Sequence, residues 1–125
     1  MLDHIGFPVA NYARSLDFYS KVLASLGITL LKEYKLEDGD GYAGFGRVRP
    51  QFWIGTGEKL TSRLHVAFTA KNREEVTAFY NAALVAGAKD NGPPGLRPHY
   101  HENYFGAFVL DPDGHNIEAV THLPE

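Results

Sequence analysis

The chain has 125 residues, 44% of them hydrophobic and 13% aromatic, and a formal net charge of −3. That length and composition predict one domain able to bury a core and exclude a disordered chain. The charge gives no basic field for nucleic acid or anionic lipid, and no apolar run approaches the roughly 18–20 residues of a membrane span. With no cysteine there is no disulfide framework, no thiolate metal site and no cysteine nucleophile. The N-terminus enters strand-like sequence without a signal-peptide pattern, so the expected location is the cytoplasm.

In chain order, Leu2–Val9 reads as a strand in which Ile5, Phe7 and Val9 alternate with His4, Gly6 and Pro8. Asn11 is a helix N-cap, Leu16, Tyr19, Leu23 and Leu26 follow at helical spacing, and Gly27 stops the helix. Strands are predicted at Ile28–Lys35, Tyr42–Val48 and Gln51–Gly55, separated by turns at residues 37–41 and at Arg49-Pro50. The plan then repeats. Arg63–Thr69 alternates Leu64, Val66 and Phe68 with His65, Ala67 and Thr69. Asn72 with Glu75 reads as a variant capping box, Val76, Phe79, Tyr80, Ala83 and Leu84 give an apolar helix face, and Gly87 ends it. A weak strand at Ala88–Asn91 runs into a Gly92-Pro93-Pro94-Gly95 loop. A final hairpin joins Tyr104–Leu110 to His115–Thr121 through Asp111-Pro112-Asp113-Gly114.

The two halves match at fixed offsets. Asn11 and Phe18-Tyr19 stand to His4 as Asn72 and Phe79-Tyr80 stand to His65. A repeated module implies pseudo-symmetric pairing, which would let the two histidines meet across the pseudo-axis. Each projects from the strand face opposite the apolar set, with a small residue, Gly6 or Ala67, two positions on. Glu118 lies in the last strand on the face opposite Ile117, Ala119 and Thr121. If that face lines the same concavity, His4, His65 and Glu118 form a set suited to a divalent first-row metal with open positions. The plainer alternative, solvated side chains on strand faces, stays open at this point.

The paired β-α-β-β-β plan, the opening Leu2-Asp3-His4-Ile5 and the closing Asp111-Pro112-Asp113-Gly114-His115-Asn116-Ile117-Glu118 resemble the glyoxalase/bleomycin-resistance/dioxygenase, or vicinal oxygen chelate, superfamily. The resemblance covers essentially the whole chain. It implies an α+β fold in which two β-α-β-β-β modules (about residues 1–58 and 62–122 of a single domain, 1–125) form an open, cup-shaped mixed sheet. It implies one divalent ion (zinc, nickel, manganese or iron) on His4, His65 and Glu118. It also implies a homodimer, with His4 supplied by one chain and His65 with Glu118 by the other when modules pair across subunits.

The family's remaining ligand position falls in Gln51-Phe52-Trp53-Ile54 and aligns with Trp53, where glyoxalase I members place a carboxylate. Indole cannot ligate a metal, so glyoxalase I activity itself is not implied. Fosfomycin-type transferases match the length and closing hairpin but carry a basic group beyond the last ligand, where this chain has only His122. Extradiol dioxygenases are commonly longer. In the family, the segment containing Arg97, Tyr100, His101 and Tyr104 borders the cup. His101 or Tyr104 is accordingly the expected acid/base or oxygen-binding donor, and Trp53, Tyr100 and Arg97 the expected pocket wall; packing of these aromatics on a dimer partner is the competing reading. Arg47 and Arg49 are weaker candidates for steering an anion.

Two further motifs are set aside. Asp111-Pro112-Asp113-Gly114 lacks the ligand pattern of a calcium loop, and a hairpin turn explains it. Gly39, Gly41, Gly44 and Gly46 have no helix start behind them and are no phosphate loop. The expected function is a small metal-dependent enzyme, of lyase, isomerase or thiol-transferase type, that stabilises an enolate or oxyanion on a small oxygenated substrate. The alternatives are a metal-free small-molecule-binding protein of the bleomycin-resistance kind and an extradiol-type dioxygenase.

Overall fold

Both helices start where a short polar side chain offers an oxygen to the first turn. Asn11 accepts from the Arg14 N–H at 3.1 Å and Asn72 from the Glu75 N–H at 2.9 Å. The capping box at the second helix is displaced by one residue, because Glu75 accepts from the Lys71 N–H at 2.7 Å rather than from Asn72. The structure, a computed structural model, describes residues 1–125. The order is β1 (Ile5–Val9), α1 (Tyr12–Ala24), β2 (Thr29–Lys35), β3 (Gly41–Gly46), β4 (Phe52–Thr56), β5 (His65–Thr69), α2 (Arg73–Val85), β6 (Lys89–Leu96), β7 (Phe105–Leu110) and β8 (Asn116–Thr121).

Each module forms a four-stranded, open mixed sheet, ordered β1-β4-β3-β2 and β5-β8-β7-β6. The first strand of each module therefore lies at a sheet edge, parallel to the last strand of its module. One face of each sheet packs on its own helix, and α1 touches α2. A continuous core results, joining Phe18, Tyr19, Val22 and Leu23 of α1 with Val76, Phe79 and Ala83 of α2 and the inward residues of both sheets. Phe52 of β4 meets Phe68 of β5 edge-on at 5.0 Å, so the two modules share packing rather than merely adjoining.

Three details differ from the sequence reading. Strands β1 and β5 start later than expected, which leaves His4 just before β1 and makes His65 the first residue of β5. Leu84, expected on the apolar helix face, is 38% exposed. The Gly-Pro-Pro-Gly segment is strand, not loop. β6 is an edge strand, where prolines forfeit no essential ladder bond, and register shifts at Asp90/Gly92 and Gly92/Gly95 absorb them.

The closing turn does more than reverse the chain. Asp111 accepts from the Tyr19 hydroxyl with one carboxylate oxygen, and from the backbone N–H groups of Asp113 and His115 (both 2.9 Å) with the other. Asp113 accepts from the Ala10 N–H at 3.0 Å and from Arg14 at 3.1 Å. Both carboxylates are buried and hold the second module to α1 of the first. Burial, reinforced by the Asp111 charge, pushes the Tyr19 phenol well above its ordinary value. The folded state thus keeps a proton that the unfolded chain releases near pH 10. This stabilisation is complete below that pH and is lost as pH rises toward the folded value. Denaturation from pH 8 to 11 is expected to show stability falling above about pH 10, with a shallower fall in Tyr19→Phe.

Candidate functional site

On the helix-free face of the second sheet, His65 and Glu118 come together. The imidazole Nε2 lies 3.1 Å from Glu118 Oε1; the histidine side chain is 51% exposed and the glutamate 2%. The juxtaposition follows from register, since the parallel β5–β8 pairing sets Ala67 beside Glu118 and His65 beside Asn116. The small Ala67 leaves room for the imidazole to reach across.

His65 Nδ1 is 3.2 Å from the Asn116 carbonyl. A carbonyl only accepts, so Nδ1 carries the proton, and in the neutral ring Nε2 presents a lone pair to a carboxylate oxygen. Two lone pairs converging at this distance require a positive centre between or upon them, either a proton on Nε2 or a cation. A ligand histidine whose other nitrogen donates to a backbone carbonyl is a recurrent feature of metal sites.

The second oxygen of Glu118 accepts from the Tyr104 hydroxyl. Gly106 permits this arrangement, because a Cβ there would come within 3.0 Å of Glu118 Oε2. Burial raises the Tyr104 phenol and the Glu118 charge raises it further. Tyr104 thus stays protonated as a donor and is not a base near neutral pH.

Of the other expected residues, His4 lies on the first module. Its Nδ1 is 2.8 Å from Asp3 Oδ1, and Asp3 also pairs with Arg49 at 3.2 Å. The hydrogen bond from His4, then the Arg49 charge, hold the Asp3 carboxyl below its usual range. Within one chain no third His, Asp or Glu joins His65 and Glu118 in a metal-holding group, so His4 does not complete that set there. His101 accepts from the Asn103 N–H at 3.1 Å through Nδ1, which leaves Nε2 as its donor in the neutral ring, and its ring meets His122 edge-on at 5.5 Å. Tyr100 is exposed beside Tyr104, ring centres 5.0 Å apart.

Arg97, expected in the pocket wall, and Arg47, the weaker anion-steering candidate, both have their guanidinium groups hydrogen-bonded to backbone, although Arg97 shares the Phe108 ring with His65 and Arg47 lines a pocket with that histidine. Arg97 donates to the carbonyls of Pro93 and Gly95 at 2.7 and 2.8 Å and sits over Phe108, bracing β6. Arg47 is committed to the carbonyls of Leu26 and Thr69.

Trp53 occupies the first module's equivalent of Glu118. Gly6 pairs with Trp53 as Ala67 pairs with Glu118, each at the same step after its histidine. Around Trp53 lie Tyr34 and Tyr42, which the sequence reading did not single out. For Tyr42 the signal was available in the alternation of a large aromatic with glycine along Tyr42-Ala43-Gly44 and Trp53-Ile54-Gly55, which puts large and small residues on one face.

This architecture, two like modules each presenting a helix-free sheet face with site residues, defines a glyoxalase-type fold. The family comparison agrees: residues 1–119 match the Glyoxalase/Bleomycin resistance protein/Dioxygenase superfamily, and the chain belongs to it. Among solved structures it is similar to a glyoxalase/bleomycin resistance protein from Albidiferax ferrireducens, with 25% identity, 96% of this chain and 97% of that one covered, and a TM-score of 0.75. TioX from Micromonospora sp. ML1 shares the fold at 19% identity and TM-score 0.74, with 98% and 99% of the two chains covered. So does a mutant of the fosfomycin resistance protein FosX from Listeria monocytogenes, complexed with Mn(II) and 1S,2S-dihydroxypropylphosphonic acid, at 20% identity, 96% and 88% coverage and TM-score 0.70. No curated protein sequence matches the chain.

Proposed function

We propose that this protein is a small divalent-metal-dependent enzyme acting on an oxygenated small molecule, with a site shared between two copies of the chain. The observation that carries this reading is the convergence of the His65 Nε2 lone pair and the buried Glu118 carboxylate at 3.1 Å. That separation suits two ligands of one first-row ion, whose bonds of about 2.0–2.2 Å at roughly 90–110° set neighbouring donors about 3 Å apart. His4 fits the third position, since Asp3 takes its Nδ1 and leaves Nε2 free. It must come from a second copy, because one chain does not bring it to the pair. β1 and β5 are edge strands of their sheets, each with one side free of a strand partner on which that association can form. FosX, of the same fold, was solved with Mn(II), which supports a divalent ion in such a site.

Bound there, the ion would supply Lewis-acid stabilisation of oxygen charge on the substrate. The chain's own groups fix the remaining roles. Asn116 orients the imidazole, and Tyr104 holds Glu118 while keeping its own proton. His101, with Nε2 as its donor in the neutral ring and its ring against His122, is assigned the donation to a substrate oxygen. Trp53 cannot accept a proton, so the first module contributes no carboxylate base of the glyoxalase I kind. Lyase, isomerase or thiol-transferase chemistry driven by oxyanion stabilisation fits this set. No helix is long and apolar enough to cross a membrane, and the reading places the enzyme in the cytoplasm.

Trp53 at the Glu118-equivalent position favours a second reading, a metal-free small-molecule-binding protein. Elemental analysis of untagged protein after divalent-ion loading and desalting separates the two. About one ion per chain is expected, falling below about a tenth in His65→Ala and in Glu118→Ala. No ion in the wild type at excess metal sinks the enzyme reading and leaves the binding protein; retained iron with substrate-dependent oxygen uptake would instead identify a dioxygenase.

A further inference from the structure

One row of residues crosses the helix-free face of the second sheet, and it is small at both ends. In register it runs from Gly92 on β6 through Phe108 on β7 and Glu118 on β8 to Ala67 on β5. From the Ala67 end His65 reaches inward, its ring 25° from parallel to that of Phe108 with centroids 6.2 Å apart. From the Gly92 end Arg97 reaches inward, its guanidinium carbon 5.4 Å from the centre of the same phenyl ring. A Cβ on Gly92 would come within 3.0 Å of Phe108 Cδ2 and 3.2 Å of Arg97 Nη2, and one on Gly95 within 3.1 Å of Arg97 Nη1. Both glycines are therefore needed for the guanidinium to lie this low. The carbonyls of Pro93 and Gly95 then fasten it at 2.7 and 2.8 Å. The Gly92-Pro93-Pro94-Gly95 run thus seats one arginine against one ring.

His65 has need of such a support. Its side chain is 51% exposed and stands at the start of an edge strand. An exposed side chain ordinarily hops among staggered rotamers within nanoseconds. The Asn116 carbonyl and Glu118 engage its two nitrogens, and Phe108 lies against the ring itself at an offset-stacking distance. Phe108 is only part-buried, and the cation over its ring supplies the hold that core packing would otherwise give. Groups that orient a metal-binding histidine matter nearly as much as the ligand, and losing one costs about 10–100-fold in ion affinity.

We infer that Phe108 and Arg97 are positioning residues for His65. The arginine, seated on the two glycines, holds the phenyl ring, and the ring holds the imidazole in the one rotamer that faces Glu118. The consequence for ion affinity rests on the metal-site reading; the fixed rotamer itself needs no ion.

The test uses the full chain in two conditions. In EDTA, the three-bond Hα–Hβ couplings of His65 are expected to show a single χ1 rotamer in the wild type. They are expected to average in Phe108→Leu and in Arg97→Gln, and to return to the single rotamer in Phe108→Tyr. With Zn(II), titrated against a chromophoric chelator, binding is expected to be at least about tenfold weaker in Phe108→Leu and about threefold weaker in Arg97→Gln. Phe108→Tyr, which keeps the ring, is expected to stay within about twofold of the wild type. A role in packing alone would lower the melting point of Phe108→Leu and leave the couplings unmoved. Arg97 is part-exposed on the sheet surface, so Arg97→Gln keeps the test open if Phe108→Leu does not fold. The inference is overturned by an averaged rotamer in the wild type, by unchanged couplings in Arg97→Gln, or by Phe108→Leu matching Phe108→Tyr in both readouts. If the wild type binds no zinc, the metal reading falls and the couplings alone decide the positioning. Zinc binding with couplings unchanged across the variants removes the positioning and leaves the metal reading standing.

Discussion

Mixing chains that carry His4→Ala with chains that carry His65→Ala is expected to restore metal binding that neither variant shows alone. In the proposed shared-site dimer, either variant by itself leaves both sites without a histidine, which weakens ion binding by more than about 100-fold. A mixed dimer contains one site missing both histidines and one site with both. Random reassociation makes half the dimers mixed, so about a quarter of wild-type sites return. Both histidines are exposed, so neither substitution opens a cavity. The measurement is bound metal per chain after unfolding and co-refolding the two variants together, with each variant alone as control. Failure to restore any ion, when the wild type binds one per chain, would rule out a site shared between copies. Full retention of ion by His4→Ala alone would remove His4 from the ligand set.

Asp111→Ala is expected to destabilise the protein by about 3–4 kcal/mol, a melting point lower by more than about 10 °C. The turn sequence alone would suggest far less, about 1 kcal/mol for a lost local bond. The larger figure follows from what the carboxylate serves: the Tyr19 hydroxyl in the core and two backbone N–H groups, all buried with it. Removing the acceptor leaves three donors without partners where water does not reach. Asp111→Asn is expected to cost less, because its amide oxygen still satisfies the backbone pair or the phenol. In a Tyr19→Phe background the Ala substitution is expected to cost less than in the wild type, which shows the coupling directly. A loss of only about 1 kcal/mol in thermal or urea unfolding would reduce the turn to a local feature.

Much of the plan was legible because it depends on local chemistry. Asn11 and Asn72 cap helices wherever their oxygens reach the first-turn N–H groups, and Gly27 and Gly87 end them at positive φ. Period-2 alternation placed Phe7, Val9, Ile117 and Ala119 in the core and Glu118 on the opposite face. The matched offsets of the two halves announced two like modules, and the parallel β1–β4 and β5–β8 ladders show them in equivalent register.

What only the tertiary structure decided is distance between segments far apart in sequence. Proline content spoke against strand at β6, but its place at the sheet edge removed the penalty. Arg97 read as a pocket-wall residue and Arg47 as a group that could steer an anion, and the fold gives both guanidinium groups backbone carbonyls to satisfy. The seating of Trp53 over Gly44 and of Tyr42 over Gly55 depends on which glycine lies across the strand pair, a matter of register that no single segment encodes. The chain by itself determined the two modules, their helices and which residues face away from the core. Folding decided that His65 meets Glu118 while His4 stays on the other module, because side-chain identity sets what a group can bind and only packing sets what lies within its reach.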